Sequence, residues 1–133
     1  MAGKGILEGI KVLTLEQVHA LPWGTGFLAD LGAQVIRIES VDHLQDRKSG
    51  PFTDSKPGEE WWNEGGGLVY YGTRNKQSLC LDVTQPQGKE VFLRLVKNSD
   101  IVTDNFRPGT MQRFGFDHES LSEINPLIIT LSG

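Results

Sequence analysis

The pentapeptide Asn105-Phe106-Arg107-Pro108-Gly109 brings an amide, an aromatic ring and a guanidinium group close together. It follows the apolar run Ile101-Val102-Thr103, and Arg113 comes six residues after Arg107. Open α/β sheets usually bind ligands at the carboxyl ends of their strands, and guanidinium groups bind phosphate and carboxylate oxygens in a forked geometry. The pattern therefore predicts an anion-recognition site at the end of a strand.

Two further basic residues, Arg74 and Lys76, lie in a second loop at the end of an apolar segment. Together with Arg107 and Arg113 they could bind phosphate groups. For any one of them, ordinary solvated surface is the commoner alternative. The neighbouring amide and aromatic ring of the pentapeptide favour the binding interpretation.

His19 and Cys80 are the other residues that could carry chemistry. His19 could contact a ligand or act as a base, but no carboxylate is visible beside it, and an exposed histidine is the commoner alternative. Cys80 lies in a strand-like run between two leucines, which favours a buried, unreactive thiol. With one cysteine and three dispersed histidines the sequence has no metal-ligand spacing, so we expect no structural metal.

The segment GTGFLA (24–29) matches the dinucleotide-binding fingerprint G-x-G-x-x-[GA], with Glu39 as a candidate ribose-binding acid. The spacing is wrong, because eight residues separate Leu15 from Gly24, and Glu39 comes only thirteen positions after Gly26. Close packing of a helix on a strand is the favoured reason for the two glycines. A nicotinamide-dependent oxidoreductase remains an alternative that would need binding at residues 24–29.

These candidates must be positioned by alternating strands and helices. Apolar runs, prolines and glycines predict strands at 10–15, 34–39, 78–81, 101–103 and 127–131, and helices at 22–32, from Pro86, 110–114 and 117–124. The alternation of polar and apolar residues over 34–39 predicts a strand with one buried face. The order indicates an α/β fold with an open, mostly parallel, Rossmann-like sheet.

Residues 40–67 form a polar segment rich in Gly, Pro, Asp and Lys, with Trp61-Trp62 near its end. A run of this length without periodicity is usually functional or disordered. We interpret it as a mobile loop over a site. The two tryptophans could cover an acyl group, or anchor the loop or a partner chain, and the sequence does not decide between these.

The composition fits one cytoplasmic domain. The 133 residues include 13 basic and 17 acidic side chains, a net charge of -4, so nothing marks the chain as a binder of nucleic acid or anionic membranes. An anionic ligand would need a local cationic cluster. The sequence has no apolar run of membrane-spanning length and no apolar core of a signal peptide.

Five segments together resemble the amino-terminal region of the family III CoA-transferases, the CaiB/BaiF-like group. They are LEGIKVL (7–13), LADLGAQVIRIE (28–39), NKQSLCLD (75–82), NFRPG (105–109) and INPLI (124–128). The resemblance implies a Rossmann-like large domain in an interlaced homodimer. It also implies transfer of coenzyme A between an acyl-CoA and a carboxylic acid, through an aspartyl-CoA thioester and mixed anhydrides.

Carried over by position, the resemblance implies contacts with coenzyme A at seven residues: Val18, His19, Ala20, Leu81, Asn105, Phe106 and Arg113. Arg113 is the expected phosphate partner, and Asn105 and Phe106 are expected to form the pocket wall. Ser40 stands where some members have an arginine and Thr84 where some have a lysine, and both differences would weaken phosphate contacts.

No residue of the chain corresponds to the family's nucleophilic aspartate, which lies beyond the segment matching residues 127–133. Since a covering helix normally follows the last strand, we expect the chain to be a truncated, CoA-binding amino-terminal part (1–133). Two alternatives stay open besides the oxidoreductase. One is an acyl-CoA racemase of the same superfamily, and the other is a non-catalytic nucleotide-binding or oligomerisation module.

Overall fold

The protein is described from a computed structural model, which describes residues 5–40, 47 and 71–133. Within these ranges the elements are β1 (Lys11–Leu15), α1 (Ala20–Asp30), β2 (Gln34–Glu39), β3 (Gln77–Cys80), α2 (Pro86–Val96), β4 (Ile101–Asp104), α3 (Thr110–Phe114), α4 (His118–Ile124) and β5 (Ile129–Ser132). The expected loop over 40–67 lies outside the described residues except at Ser40 and Arg47, and Trp61-Trp62 lies wholly outside them.

The strands form an all-parallel sheet in the order β3-β2-β1-β4-β5. The central strand β1 pairs with β2 on one side, with Leu13 opposite Ile36, and with β4 on the other, with Leu13 opposite Val102. From β1 the chain adds two strands in one direction and then two in the other. The resulting topological switch point, between β1 and β4, is where open α/β sheets bind ligands. The predicted α/β fold is confirmed.

Helix ends follow the signals that the sequence carries. Pro22 lies in the first turn of α1, and Gly32 follows that helix at φ 102°. Pro86 opens α2, while the side chain of Asp117 caps α4 by accepting a hydrogen bond from the Ser120 backbone amide at 3.1 Å. These local signals place the helices within one or two residues of the expected bounds.

Apolar side chains cover both faces of the sheet. On one face α2 and α4 pack over a cluster that includes Leu13, Phe92, Val102 and Phe116. On the other face α1 contributes to a smaller cluster comprising Val12, Ala29, Ala33 and Val35. Because helices cover both faces, the central strand is buried on both sides. Close packing around it fixes the position of its carboxyl end.

Two local expectations are wrong. The alternation in β2 predicted one buried face, but Arg37 and Glu39 are buried as well, at 5% and 8% exposure. Strand β2 is flanked by β1 and β3, and its charged residues are accommodated there by pairing with other charges. Cys80, expected to be buried, is exposed because β3 is an edge strand of the described sheet.

Candidate functional site

The carboxyl ends of β1, β2, β3 and β4 meet around a cavity of about 340 Å³. One part of its lining is apolar and consists of Leu15, Ile38, Leu81, Val83, Phe106 and Phe114. The polar part includes Glu16, Arg37, Glu39, Ser40, Arg47, Thr84 and Thr110. The cavity therefore combines a surface for a flat apolar group with charged and hydroxyl groups, a composition typical of small-molecule sites.

The aromatic part of the wall comes from the pentapeptide and from α3. Phe106 and Phe114 meet edge to face, with ring centroids 6.4 Å apart. Helix α3, which carries Phe114, lies between Gly109 and Gly115, both in the left-handed region at φ 80° and 71°. Glycine suits both positions because it reaches positive φ without a steric penalty. The two glycines thus set the short helix that presents the ring.

A row of five alternating cations and anions borders the cavity, and all of its members except Lys76 line it. It begins with Lys76, whose Nζ lies 2.5 Å from Glu16 Oε1, and Arg37 Nε lies 3.9 Å from that same oxygen. Arg37 Nε is also 3.4 Å from Glu39 Oε1, and Arg47 Nη2 is 2.7 Å from Glu39 Oε2. Three cations and two anions leave this row with one net positive charge, which is offset by Asp82, another residue of the cavity lining.

Lys76 and Glu16 form the most deeply buried pair of that row, with side chains 1% and 0% exposed. Lys76 Nζ also donates to the Pro22 carbonyl at 2.8 Å and to Thr25 Oγ1 at 2.6 Å, while Glu16 Oε2 accepts from Thr14 Oγ1 at 2.7 Å. Burial lowers the pKa of Lys76, and the carboxylate of Glu16 partly opposes this. Lys76 is therefore neither solvated surface nor a phosphate ligand.

Arg74 is also occupied by contacts within the protein. Its guanidinium lies 2.8 Å from Asp30 Oδ2, donates to the Tyr71 carbonyl at 2.6 Å and stacks 5.2 Å from the centre of the Phe27 ring. Gly26 leaves room for this group, since a Cβ there would lie 3.0 Å from Arg74 Nη1. Of the four basic residues in the expected cluster, two have structural partners of this kind.

The glycines of the apparent dinucleotide fingerprint do not occupy the position that such a motif requires. Gly24 and Gly26 lie inside α1, which has already begun at Ala20. In a dinucleotide site the glycines form the turn between strand and helix. Gly26 does allow a close approach, as expected, but the group that approaches is the Arg74 side chain rather than a strand.

The seven expected contact residues are distributed around the switch point. Leu81 and Phe106 line the cavity. Val18 and His19 are exposed in the turn between β1 and α1, and Ala20 is exposed at the first position of α1. His19 is the N-cap residue of α1 but makes no side-chain capping bond. Arg113, on α3, is exposed and donates to Thr110 Oγ1 at 3.0 Å.

Asn105 joins the two strands that flank the switch point. Its Oδ1 accepts from the Gln17 backbone amide at 2.8 Å, and its Nδ2 donates to the Gln17 carbonyl at 2.7 Å. Gln17 lines the cavity, and the next residue, Val18, has φ 64°. A β-branched residue in this region is an outlier that costs about 1–3 kcal/mol.

Sequence reasoning missed the buried polar network of Glu16, Arg37, Thr14 and Thr25. The signal was weak: polar residues at the end of a buried strand and an arginine within a strand. Both patterns are also compatible with exposed surface, and only the sheet order shows that the charges meet.

In the ranges 5–40 and 71–133 and at residue 47, no helix is long and apolar enough to cross a membrane. In the same part of the chain no three His, Cys, Asp or Glu side chains are grouped so that they could hold a metal ion.

The sheet order and the cavity at its switch point define a Rossmann-like α/β protein. Comparison with known proteins then gives the family: residues 7–133 match CoA-transferase family III, and the chain belongs to that family. The CoA-transferase resemblance read from the five sequence segments is thereby confirmed.

Individual relatives agree with this assignment. The chain is 36% identical to the acetyl-CoA:oxalate CoA-transferase of Acetobacter aceti over 132 residues, covering 97% of this chain and 31% of that protein. It is also 36% identical to the succinate–glutarate CoA-transferase of Agrobacterium fabrum, covering 95% of this chain and 31% of the relative. The crystal structure of a CaiB/BaiF family protein from Brucella suis superposes with a TM-score of 0.85 at 35% identity, covering 98% of this chain and 33% of that one. The chain thus spans about a third of the length of these relatives.

Proposed function

We propose that these 133 residues form the CoA-binding amino-terminal part of a CoA-transferase that moves coenzyme A between an acyl-CoA and a carboxylic acid. The observation that carries the proposal is the cavity at the switch point, which joins an aromatic wall to an arginine at its edge. Family membership supplies the class of ligand, and the cavity supplies a place for it.

The apolar wall suits the adenine base. Phe106, Phe114 and Leu81 offer aromatic and aliphatic surface to a flat heterocycle, and burial of that surface favours binding. Ser40 and Thr84, which replace basic residues of some family members, line the same cavity. Phosphate contacts at these two places should therefore be weaker in this chain.

Arg113 is the proposed phosphate partner. Thr110 lines the cavity and accepts a hydrogen bond from Arg113 Nη2, so the guanidinium lies next to the cavity rather than on a remote face. Its other donors can reach a phosphate, and charge-assisted bonds of this kind are among the strongest that proteins make. In an acidic protein this local charge is what an anionic ligand requires.

The size of the cavity limits what it can enclose. About 340 Å³ is at the lower end of the range for ligand sites. We therefore assign the cavity to the nucleotide end of coenzyme A, with the pantetheine arm extending past Val18, His19 and Ala20. In this arrangement these residues bind and orient the thioester, and no aspartate of the chain is assigned as the nucleophile.

The wider setting is part of the same proposal. We assign the whole protein to a cytoplasmic, interlaced homodimer. Donor and acceptor remain unspecified, since the relatives are named for different acids, including oxalate, succinate and glutarate.

Calorimetry with coenzyme A tests the binding proposal. Arg113→Ala removes the proposed phosphate partner and should weaken binding about 10- to 100-fold, the effect of losing one charged hydrogen bond. The matched control is Arg107→Ala. Arg107 is exposed and lies six residues before Arg113, so the variant removes an equal charge and should change affinity less than threefold.

A second titration locates the two ends of the ligand. Adenosine 3′,5′-bisphosphate should compete with coenzyme A for the cavity, whereas pantetheine alone should compete weakly. The proposal is wrong if the wild-type chain binds neither coenzyme A nor the bisphosphate, or if the two arginine variants lose affinity equally.

A further inference from the structure

Asn105 has both polar atoms of its side chain committed to one backbone unit. Oδ1 accepts from the Gln17 amide at 2.8 Å, and Nδ2 donates to the Gln17 carbonyl at 2.7 Å. Asn105 follows β4 and Gln17 follows β1, so this pair of bonds ties the two strand ends at the switch point together. A two-point attachment fixes both the position and the orientation of the Gln17 peptide groups.

The residue that follows the attachment is strained. Val18 has φ 64°, in a region that β-branched residues rarely enter because Cβ meets the backbone. Such a conformation persists only where the surroundings impose it. On the amino-terminal side of Val18, the Asn105 amide holds the Gln17 peptide groups in this way.

The carboxyl-terminal side of the turn is fixed independently. Lys76 Nζ donates to the Pro22 carbonyl and to Thr25 Oγ1, and the buried Glu16–Lys76 pair holds that group in place. Val18 and His19 therefore run between two anchored points, Gln17 on one side and the first turn of α1 on the other. Both anchors therefore constrain the backbone on either side of Val18, and Gln17, on the amino-terminal side, lies in the cavity wall.

We propose that Asn105 is a positioning residue, which maintains the left-handed conformation of Val18 and thereby shapes the CoA site, rather than a residue that contacts the ligand through its amide. This inference rests on the proposed function for the identity of the ligand. It assigns a different role to Asn105 from the pocket-wall contact that the family resemblance implies.

A double-mutant cycle between Asn105 and Val18 tests the role. Glycine adopts positive φ without the steric cost that valine incurs, so in the Val18→Gly background the turn no longer needs the attachment to offset that cost. Asn105→Ala should therefore weaken CoA binding about tenfold or more when residue 18 is valine, and threefold or less in the Val18→Gly background. A direct ligand contact would cost the same factor in both backgrounds, and that result would overturn the proposal.

Two controls separate positioning from general stability. Asn125 Nδ2 likewise donates to backbone carbonyls, those of Val96 and Ser99, so Asn125→Ala removes a comparable attachment at another place in the fold. It should lower thermal stability without changing CoA affinity. Should Asn105→Ala not fold, Asn105→Asp replaces it, because a carboxylate keeps the acceptor for the Gln17 amide but cannot donate to the Gln17 carbonyl.

A measurement without ligand distinguishes failure of this inference from failure of the proposed function. The three-bond amide–Hα coupling and the intraresidue NOE of Val18 report φ by NMR. We expect positive φ in the wild type and negative φ in Asn105→Ala. Unchanged Val18 signals in that variant would refute the positioning role, whereas absence of CoA binding to a wild type with positive φ would refute the function alone.

Discussion

At the scale of single residues, the buried pair Glu16–Lys76 shows that charges beside the site are tolerated only because each one is compensated by its partner. Both side chains are almost fully enclosed, and each also bonds to groups of α1 or β1. Removal of one partner from such a pair leaves an uncompensated buried charge, whereas replacement of both can be far less costly.

Lys76→Met should consequently destabilise the fold by about 3–5 kcal/mol, and the double variant Glu16→Gln/Lys76→Met should recover a large part of the loss. Urea denaturation monitored by tryptophan fluorescence gives the free energies of unfolding. Lys97→Met, at an exposed position, is the control and should stay within about 0.5 kcal/mol of the wild type. If Lys76→Met is as mild as the control, the pair does not stabilise the fold as described.

The same pair has a signature in the pH dependence of stability. Burial lowers the pKa of Lys76 in the folded chain below its ordinary value of 10.5, so the unfolded chain binds more protons between the two pKa values. The contribution of Lys76 to the free energy of unfolding should rise with pH through that window and decrease as pH falls through the folded pKa. Lys76→Met should lack this component.

At the scale of secondary-structure elements, glycines in two helices have opposite roles. Gly24 lies in α1 with open space where a Cβ would be, whereas a Cβ at Gly88 in α2 would lie 1.9 Å from the Asp82 carbonyl oxygen. Helix α2 therefore sits directly against the turn that follows β3, and the lining residues Val83 and Thr84 belong to that turn.

Substitution of each glycine by alanine should separate the two roles. Gly24→Ala should stabilise the protein by about 0.5–1 kcal/mol, because alanine is the better helix former. Gly88→Ala should destabilise it by about 1–3 kcal/mol through overpacking, and should weaken CoA binding by moving the turn. Chemical denaturation and calorimetry measure the two effects. An equal change in stability for both variants would contradict the close packing of α2.

At the scale of the whole molecule, signals within a few residues determine the helices and strands, whereas contacts between residues far apart in the sequence determine the site. Prolines, glycines and apolar periodicity were sufficient to predict α1, α2 and the strands, because these signals act over a few residues. The burial of Arg37 and Lys76 was not predictable, since their partner Glu16 directly follows β1 and becomes adjacent only through the sheet order. The attachment of Asn105 to Gln17 was not predictable for the same reason. The exposure of Cys80 was not predicted, because an edge strand cannot be recognised before the order of strands in the sheet is known.

Among the described residues, exposed apolar side chains form two groups, besides others such as Ile6 and Leu127. Trp23, Phe27 and Leu31 recur every four residues along α1, with exposures of 41%, 55% and 44%, and Ile129 and Leu131 share one face of β5 at 60% and 54%. Grouped exposed apolar side chains often mark interaction sites. They support the proposal that the protein assembles with further copies of itself.

We therefore expect the 133-residue chain to self-associate in a concentration-dependent manner, as measured by sedimentation velocity over a hundredfold range of concentration. Ile129→Lys places a charge in one of the apolar groups and should weaken association about tenfold or more, the effect of losing a central interface residue. Gln87→Lys, on the exposed surface of α2, adds the same charge and should have little effect. A wild type that stays monomeric at every concentration would show that these surfaces do not bring copies of this chain together, and a loss of association in both variants would attribute the effect to net charge rather than to burial of β5.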